Sequence, residues 1–214
     1  MKNLLIVTIL FATTIFSYAN GDSLYMSAME QATTELEAVE TVDQLTLNIN
    51  SFERIANVKN DEWLPAYYLA YDYIILSFMD KEGDRDGHLD KAQMYVDKAM
   101  ALTCDSVEVM CLQAYLYQGR LSISVMMRGA KYGPKVNELL NKAIAMDSEN
   151  PRAHMLLGQN IYFTPSFFGG GADNACPHIQ TAAQKFEQHI PASSIHPNWG
   201  QGSVNRLVGK CSAE

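Results

Sequence analysis

Side chains spaced for chemistry are few in this 214-residue chain. The most suggestive run is Glu82-x-Asp84-x-Asp86-Gly87-His88-Leu89. Alternating carboxylates before a glycine and an apolar anchor are what a calcium loop uses. Its first position is Glu82 and its twelfth is Gln93, and a neutral amide cannot close the shell as a bidentate carboxylate does. The competing expectation is a solvated acidic loop with Asp86 or Asp90 capping the next helix. The histidines (His88, His154, His178, His189, His196) show no repeated ligand spacing, and Cys176-x-His178 is too short and solitary for zinc. Phe167-Phe168-Gly169-Gly170-Gly171 could cradle an anion at a helix start, but it follows a helical pattern and lacks the Lys-Ser/Thr of a phosphate loop. There is no G-x-S-x-G and no Ser/His/Asp order, so a non-catalytic role without a cofactor is expected.

Four cysteines allow three pairings. Cys176 opens the last long helical pattern and Cys211 lies near the chain end, so a Cys176–Cys211 disulfide would staple the terminal segment. Cys104 and Cys111 flank one helix start and are expected to stay unpaired.

The elements that must position these groups read as helices. Apolar residues at Leu24, Met26, Met29, Ala32, Leu36 and Val39 have helical spacing. Thr41-x-x-Gln44 forms a capping box and opens a helix to about Val58. Further helices are predicted over Trp63–Phe78, Leu89–Leu102, Val107–Met127, Pro134–Met146, Pro151–Phe163, Asp173–Ile190 and Val204–Cys211, with Gly129–Gly133 as a break. Asp173 is the expected cap of the last long helix. No alternating run is long enough for a strand.

The chain starts with Lys2, an apolar run from Leu4 to Phe16, and Ser17-Tyr18-Ala19. That is the form of a secretory signal peptide over 1–19, leaving 20–214 as one domain. The apolar run is shorter than the roughly 20 residues that span a bilayer, so no membrane insertion is expected after cleavage. The mature protein is expected to be soluble in the periplasm or outside the cell. Composition (48% hydrophobic, 19% charged) suits a folded protein. A net charge of −8 without a basic run argues against nucleic acid or an anionic membrane as partner.

One organising feature is a repeat. Lys142-Ala143-Ile144-Ala145-Met146 echoes Lys98-Ala99-Met100-Ala101-Leu102 44 residues earlier, and Ile55-Ala56-Asn57-Val58 is a fainter echo. Lys142 to Asp147 followed by Asn150-Pro151, with Leu157-Gly158-x-x-Ile161, Leu69-Ala70-x-x-Tyr73 and Ala114-x-x-Tyr117, resembles the tetratricopeptide repeat family. The resemblance implies an all-α, right-handed superhelical array of antiparallel helix pairs, about 22–58, 63–102, 107–146 and 151–190, with a cap at 191–214. The family period is ~34 residues. The extra ten fall near Ser77–Gly87, Arg120–Gly133 and Thr164–Ala172, where they would lengthen helices or build a lip.

The family register also implies a concave groove. Its floor would carry Leu64, Tyr67, Tyr71, Ile74 and Ile75 from the first pair of this stretch, Glu108, Cys111, Tyr115 and Gln118 from the second, and Arg152, Met155, Gln159, Tyr162 and Phe163 from the third. Exposed aromatics with a few polar groups suit a peptide or protein partner, which makes a binding scaffold the first expectation. The alternative is a small-ligand binder, or an accessory subunit of solute transport, with the long connections closing the groove. A calcium-dependent protein or an enzyme is a further alternative. A covered face, with the rings buried, is the structural alternative to any groove.

Overall fold

The computed structural model describes residues 22–103 and 105–212. The signal-peptide expectation and Cys104 lie outside them. The described chain is all-α: α1 (22–37), α2 (Val42–Val58), α3 (Trp63–Met79), α4 (Arg85–Leu102), α5 (Ser106–Ile123), α6 (Val125–Met146), α7 (Pro151–Phe163), α8 (Ala172–Gln188) and α9 (Gln201–Cys211). A single 3-10 turn, Ser166–Phe168, lies between α7 and α8.

Local sequence explains where the helices begin. The Thr41 side chain accepts from the Gln44 N–H while the Gln44 amide oxygen accepts from the Thr41 N–H, a reciprocal capping box. Asp84 caps α4 and Asp105 caps α5. The Asn150 oxygen accepts from the N–H groups of Arg152 and Ala153, and Pro151 fills the first helical position, where its missing N–H costs nothing.

Helices pair in sequence as α3/α4, α5/α6 and α7/α8, and the first helices α3, α5 and α7 lie side by side. α1 is tied to α2 by the Asn48 amide, which donates to the Ala32 carbonyl at 2.8 Å. Close approach within pairs is set by small residues. Ala92, Ala99 and Ala143 are fully buried, and at Gly158 a Cβ would stand 2.7 Å from Ile179 of α8. The apolar stripes bury into two adjoining cores. One runs from α1 to α5 around Phe52, Tyr67, Leu69 and Ile74; the other runs from α5 to α9 around Leu140, Met155, Leu156 and Ile179.

Three expected boundaries are corrected. The break at Gly129–Gly133 does not form, and α6 runs through it with Pro134 inside. Arg128 donates to both carboxylate oxygens of Asp86 and to the Arg120 carbonyl, pinning the first turn of α6 to α4 and α5. The N–H missing at Pro134 leaves the Ala130 carbonyl without its helical donor, and this residue is exposed, so water serves. Helix α8 is capped by Gly171, with Asp173 in its first turn. The extra residues of the first two long connections mostly lengthen helices: only 80–84 separates α3 from α4, and Ser124 alone separates α5 from α6.

After α8 the chain turns back. Residues 189–200 form an irregular strap that crosses the inner face formed by α3, α5 and α7. Ser194 donates to Glu30 of α1, Tyr68 of α3 donates to the Ile195 carbonyl at 3.1 Å, and Ile195 is buried in the first core. The strap ends at Gly200, whose φ of +113° and close fit against Phe186 and Met155 exclude a side chain there. A disulfide between Cys176 of α8 and Cys211 of α9 anchors the terminal helix that follows.

Candidate functional site

The residues of the expected groove divide into two groups. Two contacts join residues 44 apart, Glu108 with Arg152 and Tyr71 with Tyr115. Tyr67, Cys111, Met155, Leu64, Glu108 and Arg152 are all buried. Ile74 and Gln118 are buried as well. These positions do not form an open groove floor: Trp199 of the strap lies against Tyr67 and Arg152, while Cys111 and Gln118 turn to Asn150 and to the Leu156 carbonyl. Tyr71, Tyr115, Gln159 and Tyr162 stay half-buried.

At the centre of the covered part is a charged pair. The Arg152 guanidinium donates through Nε and Nη2 to the Glu108 carboxylate, at 2.6–3.0 Å. Asn150 donates to the same carboxylate, and Tyr67 donates to it at 3.3 Å. Burial works against the charge of Arg152, and Glu108 more than offsets this, so the guanidinium stays protonated. The strap joins the network through Trp199, whose indole N–H donates to the Tyr67 hydroxyl at 2.8 Å. His189 lies 3.2 Å from Arg152; burial first, then the arginine charge, lower its basicity, so it stays neutral. Burial, reinforced by Glu108, pushes the Cys111 thiol well up, which rules it out as a nucleophile.

Trp199 also defines the open part. Its ring packs on Tyr71 (4.9 Å between centroids) and stacks on Tyr115 (5.5 Å), and Phe78 lies against the far side of the tyrosine stack (5.4 Å from Tyr115). Beside this stack is a cleft of about 710 Å³. Leu36 and Val39, from α1 and its exit, form one wall. Tyr68, Tyr71 and Ile75 of α3 form the second, and the strap with His196, Trp199 and then Arg206 of α9 the third. Its volume is that of a small-molecule site; α1 and α3 give it mainly apolar and aromatic walls, while the strap and α9 add polar groups such as Ser193, Ser194, Asn198, Gln201 and Ser203. Of the expected groove residues, Tyr71 and Ile75 line it; Leu36, Val39, Tyr68, His196, Trp199 and Arg206 were missed. A second, smaller cleft of about 430 Å³ lies between α1 and α2 and is mostly apolar.

The calcium expectation at Glu82, Asp84 and Asp86 is corrected. Asp84 accepts from the Gly87 N–H as the cap of α4, and Asp86 is held by Arg128 and Arg120. Hydrogen bonds from Arg128 and Arg120 hold the Asp86 carboxyl well below the usual range, so its oxygens are committed to guanidinium. Among the described residues, no cluster of three or more His, Cys, Asp and Glu side chains could hold a metal. The expectation that the long connections close the groove is also corrected, since the closing element is the strap. No described helix is long and apolar enough to cross a membrane.

No protein-family model matches the chain, and no protein of curated function matches it. Among solved structures it is similar to the HusA haemophore from Porphyromonas gingivalis. The likeness covers 88% of this chain and 93% of that one, at 29% identity and a TM-score of 0.81.

Proposed function

We propose that this protein is an exported binder of a small, flat, apolar ligand of the haem class, held in the cleft between α1, α3 and the strap. The observation that carries the reading is the near full-length likeness to a haemophore. The cleft fits such cargo: it offers two aromatic faces, Tyr71 and Trp199, beside aliphatic walls from Leu36, Val39 and Ile75. A planar ring packs on such faces by offset stacking, at about 0.5–1.5 kcal/mol per ring pair beyond the burial of its area. A peptide scaffold has less support, because the strap fills the inner face where an extended chain would lie. The Cys176–Cys211 disulfide and the signal-like segment support an oxidising, exported compartment. The shared row positions at a 44-residue period, with small residues at the close approaches, support a tetratricopeptide-like winding of the helix pairs.

The test is titration of residues 20–214 with haemin, followed by the Soret band and by tryptophan fluorescence. Both tryptophans report on the site, since Trp199 lines the cleft and Trp63 packs against His196 at its edge. Saturable quenching with a shifted Soret band is expected. Ile75→Glu, which places a charge against the ligand's apolar body, should weaken binding by about tenfold or more without unfolding the chain. Unsaturable quenching, or affinity unchanged by Ile75→Glu, overturns the reading.

A further inference from the structure

The cleft is not electrically neutral. From residue 188 to residue 213 the sequence contains no Asp or Glu, although the whole chain carries −8. Within that stretch Arg206 lines the cleft. The half-buried and buried arginines are committed: Arg85 to the Ser77 carbonyl and Ser122, Arg120 and Arg128 to aspartates, Arg152 to Glu108; exposed Arg54 bonds to Ser51 and lies at the other cleft. Arg206 is exposed and forms no ion pair among the described residues. Its one described hydrogen bond goes to the Ser203 hydroxyl at 3.0 Å, one turn back on α9. That bond uses one of five guanidinium N–H groups and steadies the side chain at the cleft. The positive charge also acts on the Tyr115 hydroxyl, partly opposing the effect of burial, so Arg206 lies within electrostatic reach of the aromatic stack that Trp199 completes. Glu37, on the opposite wall, is the one carboxylate among the described residues that lines the cleft.

We propose that the ligand of this cleft carries a carboxylate, and that Arg206 receives it while the flat apolar body lies against Tyr71 and Trp199. Arg206 is then the residue that selects an acidic ligand over its uncharged ester. A planar guanidinium fork matches a carboxylate through two parallel N–H···O bonds, which an ammonium cannot reproduce. The position at the cleft mouth suits an amphipathic cargo, because the charged end keeps partial hydration while the rings are buried. In a chain of net −8, a local cation is also needed to offset the general repulsion of an anion. This inference rests on the flat-ligand reading and adds the charge of the cargo to it.

The experiment compares metal-free protoporphyrin IX with its dimethyl ester, titrated against wild type, Arg206→Gln and Arg206→Lys of residues 20–214. All three chains are first shown to share one melting temperature. The free acid should bind wild type about tenfold or more tightly than the ester. Arg206→Gln should weaken the acid by a similar factor and leave the ester unchanged, with Arg206→Lys between. Raised salt should weaken the acid complexes of wild type and Arg206→Lys, and leave the Arg206→Gln and ester complexes largely unchanged. Equal binding of acid and ester by wild type, or an equal loss for both in Arg206→Gln, overturns the role of Arg206 and leaves the flat-ligand reading standing. Binding of neither form overturns both.

Discussion

The inner face of this protein has two halves made by one register, and they have opposite fates. In the covered half, Tyr67, Glu108, Cys111, Arg152 and Met155 are buried, and Trp199 of the strap lies against Tyr67 and Arg152. In the open half, Tyr71 lines a cleft shared with α1 and α9, with the Tyr115 ring packed behind it. Repeat geometry supplies the row; the terminal segment decides which part of it becomes a site. Polar content differs accordingly. The covered half contains a complete network in which Glu108 has Arg152, Asn150 and Tyr67 around it. The cleft has Arg206 without a carboxylate partner. Satisfied polar groups hold the structure in the covered half; the proposed recognition rests on a cation that has no ion pair among the described residues.

The comparison breaks most severely at Arg152. Arg152→Met leaves Glu108 buried without its counter-charge, and such a loss costs about 3–5 kcal/mol. The expected result in urea denaturation is a sharp fall in midpoint for Arg152→Met. Glu108→Leu added to it should return most of the loss, since the isolated buried charge is then gone. A double variant as unstable as the single one would mean that the pair matters for packing rather than for charge compensation.

Next in size is the covalent anchor of the strap and α9. The bond between Cys176 and Cys211 closes a loop with a sequence separation of 35, and its removal should cost about 3 kcal/mol. The Cys176→Ser/Cys211→Ser variant should also make the tryptophan spectrum more solvent-exposed, because Trp199 precedes the released helix. If stability falls but Trp199 stays packed, the hydrogen bond to Tyr67 and the contacts of Ile195 hold the strap without the disulfide.

What could be read from the sequence follows from the range of the interactions. The helices are legible because apolar spacing and caps such as Thr41/Gln44 and Asn150-Pro151 are local. The row pairing of Glu108 with Arg152 is legible from the 44-residue register, although not the fact that they bind each other. The strap was not legible. Its contacts join residues 127 positions apart (Tyr68 to Ile195) and 132 apart (Tyr67 to Trp199), and nothing periodic marks 189–200. Since the strap and α1 make two of the three cleft walls, most cleft residues were out of reach of any argument built on the repeat. The misplaced break at Gly129–Gly133 has a similar cause, for the Arg128 contact to Asp86 that fixes α6 lies 42 residues away.

The smallest effect separates two buried acids, one with partners and one without. Glu108 has its partners; Asp72, beside Tyr71 in α3, is fully buried and neither carboxylate oxygen has a hydrogen-bond partner among the described residues. Burial pushes its pKa well above the usual carboxylate value, so the folded state favours the proton. The unfolded chain releases that proton near pH 4, at the ordinary carboxylate value. Above that pH the folded state binds more protons than the unfolded one, so stability declines as pH rises toward the folded pKa. Asp72→Asn has the same shape and no charge to bury, and removes this component. The two proteins should therefore have similar urea midpoints near pH 4.5. By pH 8 the variant should be the more stable by about 1–2 kcal/mol, the range for a poorly satisfied buried polar group. Parallel pH profiles for wild type and Asp72→Asn would show that Asp72 has a compensating partner in solution, and the contrast between the two acids would then disappear.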